Sequence, residues 1–199
     1  MIRFLVAGLL LLSAAVQAVT LDDLQQRFAS QTVVRADFTQ LREIKGMAPL
    51  KSSGELLIAQ DKGLWWHQAR PFPLTLVLDD KRMMQVMNGQ APQIVTAESN
   101  PQMFQFNHLL RALFRADRQV LEQNFALDFQ DRGQGKWQLV LTPKTSPLDK
   151  LFNTITLQGA AWLEAIELND RQGDKTAISL NNQRTTASLT SEEQQRFVF

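Results

Sequence analysis

The chain has 199 residues, with 21 lysines and arginines against 20 acidic residues, 44% apolar residues and no cysteine. Without cysteine there are no disulfides, no thiol catalysis, no cysteine-held metal and no lipid-bearing cysteine of a bacterial lipoprotein. A net charge of +1 with no basic block gives no support to nucleic-acid or anionic-membrane binding.

The N-terminus reads as a signal peptide. Arg3 supplies a positive charge, Phe4 to Leu12 is an apolar run, and Val16-Gln17-Ala18 fits a small-residue cleavage site. The run is too short for a membrane span of about 20 residues. Residues 1–18 are expected to be removed, leaving 19–199 as one exported domain with 20 basic and 20 acidic residues. A chain of about 180 residues can bury a core without disulfides.

Next, Thr20 caps a helix whose first turn holds Asp22 and Asp23 and whose stripe is Leu21, Leu24 and Phe28. From Val33 the period shortens to two: Val34, Ala36 and Phe38 share one face, Arg35, Asp37 and Thr39 the other. Strands are expected at 54–60, 64–69, 74–78, 82–88 and 93–97. Adjacent tryptophans in the second of these put one indole on each face of the sheet. After Asn100-Pro101, apolar residues from Met103 to Phe114 recur at helical spacing over most of the circumference, which predicts a helix buried on more than one side. Strands resume at 125–129, 137–141, 153–157, 162–168 and 176–180, with a last short one at 196–199. Residues 185–188 read as a polar linker or an edge strand. This is an α+β arrangement: an antiparallel sheet curved around helices.

The search for catalysis returns little. No zinc-protease, nucleophile-elbow, phosphate-loop or EF-hand motif occurs. His67 on a strand and His108 on the apolar helix are the only histidines, and Asp79-Asp80-Lys81 reads as a hairpin turn. Arg111, Arg115 and Arg118 read as a solvated face. The chain holds 12 Phe, 4 Trp and 6 Met but no Tyr. Such side chains bring no hydroxyl that needs a partner when buried. They suit an ordinary core, or an interior that accepts something greasy.

Several short motifs, in order and at family spacing, resemble the LolA-type carriers that ferry lipoproteins across the bacterial periplasm. They are Phe38-Thr39-Gln40, Gly54-Glu55-Leu56, Trp66 with Pro71 five residues on, Asp79-Asp80-Lys81, Leu141-Thr142-Pro143-Lys144 and Phe197-Val198-Phe199. The resemblance implies an incomplete antiparallel barrel with helices covering a concave apolar cavity. Its cargo would be acyl chains of lipoproteins or another lipid, taken from an inner-membrane ATP-driven release complex and passed to an outer-membrane receptor. The expected lining is Leu24, Phe28, Phe38, Leu56, Ile58, Leu64, Trp66, Leu76, Met84, Leu110, Leu113 and Phe114, with Trp66 rather than Trp65 turned inward. A periplasmic monomer without catalysis, cofactor or metal is implied. Gln60-Asp61 stands where the family has Arg-Pro, so Gln60 takes the lid-latch position, and the chain ends without the extension of the best-known carriers. Two other readings compete: an envelope binding module that presents a hydrophobic groove to a protein without moving lipid, and a lipid hydrolase.

Overall fold

The computed structural model describes residues 18–79, 81–87, 89–96, 98–99, 112 and 117–198. Apart from Ala112, the apolar helix expected at 103–114, and with it Leu110, Leu113, Phe114, Arg111 and His108, lies outside the described residues, as do Arg115 and residues 1–17.

Helix α1 (Leu21–Ala29) opens on a full capping box, in which the Thr20 hydroxyl accepts from the Asp23 amide and Asp23 accepts from the Thr20 amide. Strands follow in an antiparallel meander: β1 (Val33–Glu43), β2 (Leu50–Ala59), β3 (Gly63–Arg70), β4 (Leu74–Leu78), β5 (Arg82–Met87) and β6 (Gln93–Thr96). Helix α2 (Arg118–Asn124) leads into a second meander of β7 (Phe125–Gly133), β8 (Lys136–Pro143), β9 (Phe152–Gly159), β10 (Leu163–Asp170) and β11 (Lys175–Thr186), with the short helix α3 (Leu148–Leu151) between β8 and β9. Pairing of β1 with β11 joins the two meanders into one sheet of 11 strands, ordered β6-β5-β4-β3-β2-β1-β11-β10-β9-β8-β7. The edge strands β6 and β7 leave the sheet open.

Two local readings need correction. Residues 185–186 belong to a long central strand, where Thr185 and Thr186 pair with Val34 and Val33. The C-terminus is not a strand: Ser191–Gln195 forms helix α4, because Thr190 and Glu193 make a second capping box.

The pleat sorts the apolar residues into two clusters. Leu56, Trp66 and Leu76 are cross-strand partners on the inner face, as are Ile58, Leu64, Leu78, Met83 and Val95. Together with Phe38, Trp137, Leu139, Leu157 and Leu180 they belong to the main core. One residue out of phase, Leu57, Trp65, Val77 and Met84 pair across the outer face, where Val33, Ala59 and Phe197 join them. Met84 therefore does not line the inner face. The expected alternation on β5 is off by one position, and Met83 occupies the inner place.

Candidate functional site

The inner face is built from both meanders. Helix α1 packs on it from the side of the second meander, and its Phe28 reaches β1, β2, β10 and β11. Leu21, Leu24 and Phe28 are all buried against it. Phe28 meets the edge of Trp137 on β8, centroids 6.0 Å apart at 63°. Burying three such side chains supplies roughly 5–8 kcal/mol of gross transfer free energy, an upper figure. A nine-residue helix is marginal alone, so this packing is what keeps it formed and in place.

Polar contacts fasten α1 at intervals. The Arg27 guanidinium donates to the Ala160 carbonyl at 2.8 Å, and the Trp137 indole N–H donates to the same oxygen at 2.8 Å. At the N-terminal end, Arg118 of α2 donates to Asp22 at 2.8 Å and to Glu122 at 2.7 Å, an exposed bridge rather than a free solvated cation. At the C-terminal end the Gln60 amide donates to the carbonyls of Ala29 at 2.6 Å and Gln31 at 3.1 Å. Those carbonyls sit at and just beyond the helix terminus, where orphan acceptors collect.

Among the described residues, the space directly beneath Phe28 is filled in this conformation. Between Phe28 and Val34, Ala36, Leu56, Ile58, Leu163 and Leu180 the free volume is about 20 Å³, room for about one water. Leu24, Phe38, Leu56 and Leu64 are likewise buried core residues. The inner face is not sealed throughout, however. Ile58, Trp66, Leu76 and Val95 pack on the core yet stay half-buried, and Leu127, Phe129 and Ile178 do the same in the second meander. Trp66 stacks at a tilt on Phe38, ring centroids 3.9 Å apart at 31°. Trp66 is thus the inward tryptophan. The second meander's share, Trp137 above all, was missed in sequence; its alternation from Trp137 to Leu141 was the signal available.

The outer face carries its own cover. Arg35 grips Glu193 of α4 through two nitrogens, Nη2 lying 2.6 Å from Oε2. Arg196 lies over the Trp65 ring, 4.5 Å from its centroid, and Phe197 enters the outer cluster. Trp65 also stacks on His67, whose Nδ1 lies 2.8 Å from Thr75 Oγ1. The Arg35 guanidinium, then the Thr190 backbone N–H, holds the Glu193 carboxyl down at about 2 against the opposing effect of burial. A depressed carboxylate contributes stability above its unfolded value near 4.5, and that contribution vanishes as pH falls towards 2. Wild-type protein is therefore expected to lose melting temperature between pH 4.5 and 2 more steeply than Glu193→Gln. Parallel pH profiles of the two proteins would contradict the assignment.

Asp79 Oδ1 accepts from the amides of Lys81 and Arg82, at 2.7 and 2.6 Å, which makes it a turn residue. Among the described residues no group of three or more His, Asp or Glu side chains is placed to hold a metal, and no helix is long and apolar enough to cross a membrane.

Comparison with known proteins agrees with this architecture. A family model described as outer membrane lipoprotein carrier protein LolA-like matches residues 13–198. An outer-membrane lipoprotein carrier protein of Methylococcus capsulatus is 28% identical over 168 residues, covering 80% of this chain and 74% of that one. Among solved structures, the Pseudomonas aeruginosa MucA/MucB complex contains a chain with TM-score 0.50 and 16% identity, covering 86% of this chain and 59% of that one. A LolA superfamily protein of Nitrosomonas europaea has TM-score 0.48 and 9% identity, covering 88% and 97%.

Proposed function

Because the chain belongs to the LolA-like outer membrane lipoprotein carrier family, we propose that it holds the acyl chains of a lipoprotein or another lipid on the inner face of its sheet. In this reading, export with loss of residues 1–18 places it in the periplasm. There it takes cargo from an inner-membrane ATP-driven release complex and yields it to an outer-membrane receptor, with no chemical step. The observation that carries the proposal is the half-buried apolar strip of Ile58, Trp66, Leu76 and Val95, continuous with the core that α1 covers.

The energetics explain why such a face is wanted. An acyl chain of about 16 carbons gains about 0.8 kcal/mol per methylene on leaving water, roughly 13 kcal/mol in all. Leu, Ile, Trp and Phe offset that without rival hydrogen bonds. A carrier must also let go, and only a ligand that binds one state better than another shifts the balance between them. Here the two states are α1 down, with Phe28 filling its own seat, and α1 raised. Gln60 takes the latch role in this scheme: a neutral amide holding two carbonyls is a lighter fastening than a guanidinium fork.

The filled space beneath Phe28 favours one second reading, a module that offers the same apolar face to a protein and never carries lipid. Native mass spectrometry of the protein purified from a bacterial periplasm separates the two. Carriage requires a lipid adduct that survives desolvation; a uniformly empty protein would support the module instead.

A further inference from the structure

Two hairpin tips at one end of the sheet are apolar, exposed and basic. Because β1 pairs with β2 and β2 with β3, with Arg42 opposite Leu50 and Ser53 opposite Arg70, the β1–β2 tip (44–49) and the β3–β4 tip (71–73) project side by side beyond the last paired residues. Met47 is 60% exposed, Leu50 50% and Phe72 75%, among the largest exposures of any large apolar side chain in the described residues. Apolar groups of this size gathered on adjacent tips mark an interaction surface.

We propose that these tips dock the protein on an anionic lipid bilayer, with Phe72, Met47 and Leu50 entering the interface and Lys45, Lys51 and Arg70 meeting the head groups. The local charge supports a lipid rather than a protein occupant. No acidic residue occurs in 44–51 or 70–78, and Lys45, Lys51 and Arg70 make no ion pair among the described residues. Of the nearby acids, exposed Glu43 flanks the first tip and stands opposite Lys175, and Asp174 accepts from the Lys45 backbone N–H at 3.2 Å and lies 3.8 Å from Arg42. Lysine is depleted from protein interfaces, whereas paired apolar and basic signals are what a membrane surface rewards. Lysine and arginine stems can lie along the acyl boundary while their charges stay in the head groups. Pro49, Pro71 and Pro73 suit the same setting, since each removes a backbone N–H that a lipid interface would leave unsatisfied. The near-zero charge of the whole chain concealed this; the basic groups matter because they are gathered on two tips.

The docking does not depend on the inner face holding lipid, and its test uses vesicles with the tips as reporters. The chain has no cysteine, so Ala48→Cys carrying an environment-sensitive fluorophore reports on the tips alone, and Lys136→Cys at the start of β8 reports on the opposite end of the sheet. With vesicles of phosphatidylcholine and roughly 30% phosphatidylglycerol, the residue-48 probe should shift to the blue and the residue-136 probe should not. Flotation should fall by about tenfold in Met47→Ser/Phe72→Ser, and as far in Lys45→Gln/Lys51→Gln/Arg70→Gln. High salt should weaken the wild type but hardly affect the triple variant. All these positions are solvent-facing, and unchanged melting temperatures establish that the variants are folded. Absence of flotation, flotation unchanged in Met47→Ser/Phe72→Ser, or an equal response at residue 136 would overturn the proposal. So would a residue-48 response seen only when the vesicles contain membrane proteins, which would assign the tips to a protein partner.

Discussion

Phe28→Ala is expected to raise the affinity of the inner face for an apolar fluorophore such as bis-ANS by tenfold or more, while costing about 3 kcal/mol of stability. Phe28 is 5% exposed and closes the junction of β1, β2, β10 and β11, so removing its ring deletes the contact that seats α1. Apparent affinity for a site under a closed lid is the intrinsic affinity scaled by the open fraction. Weakening closure by about 1.4 kcal/mol therefore already gives a tenfold gain. Gln60→Ala, which removes two hydrogen bonds at the same C-terminal end of the helix, should move affinity in the same direction by less, because each such bond is worth about 1 kcal/mol net. Dye titration with hydrogen exchange of residues 21–29 reads both effects. If Phe28→Ala bound dye no better than wild type, α1 would not be the lid.

The second large effect concerns the backbone beneath Trp66. A Cβ at Gly54 would lie 1.9 Å from the His67 carbonyl oxygen and 2.9 Å from Gln68 Cα. Both obstacles are main chain of the neighbouring strand, at the point where the β2–β3 register shifts, so no side chain can swing aside. Gly54→Ala should cost about 3 kcal/mol or more, seen as a lower urea midpoint at unchanged slope. It should also disturb the ladder that presents Trp66 to Phe38. A loss below about 1 kcal/mol would mean that β2 and β3 can separate locally at little cost.

Much of this was legible in the residues, and where it was not the reasons are physical. Thr20 with Asp23, and the alternation from Val33 to Phe38, read correctly because capping and pleat are local codes. The same code stands at Thr190-Ser-Glu-Glu, just before the segment 196–199 that reads as a strand, and there it forms a helix. Met84 was assigned to the wrong face since adjacent methionines carry no phase of their own; register against Val77 decides. Gln60 marked the latch position through the family pattern, but its hydrogen bonds to Ala29 and Gln31 join residues about 30 apart in sequence, beyond any periodicity argument. The grip of Arg35 on Glu193, 158 residues away, was invisible for the same reason. Nor did spacing reveal that Phe28 would sit in the space it was expected to enclose. That depends on how deeply a helix settles, which packing sets.

The most direct test of acyl binding on the inner face is photocrosslinking with a diazirine-bearing fatty acid, mapped by peptide mass spectrometry. Label on Ile58, Trp66 and Leu76, with their out-of-phase neighbours Leu57, Trp65 and Val77 unmarked, is the predicted pattern. Label confined to Leu57, Trp65 and Val77, or none competed by unlabelled fatty acid, would contradict it.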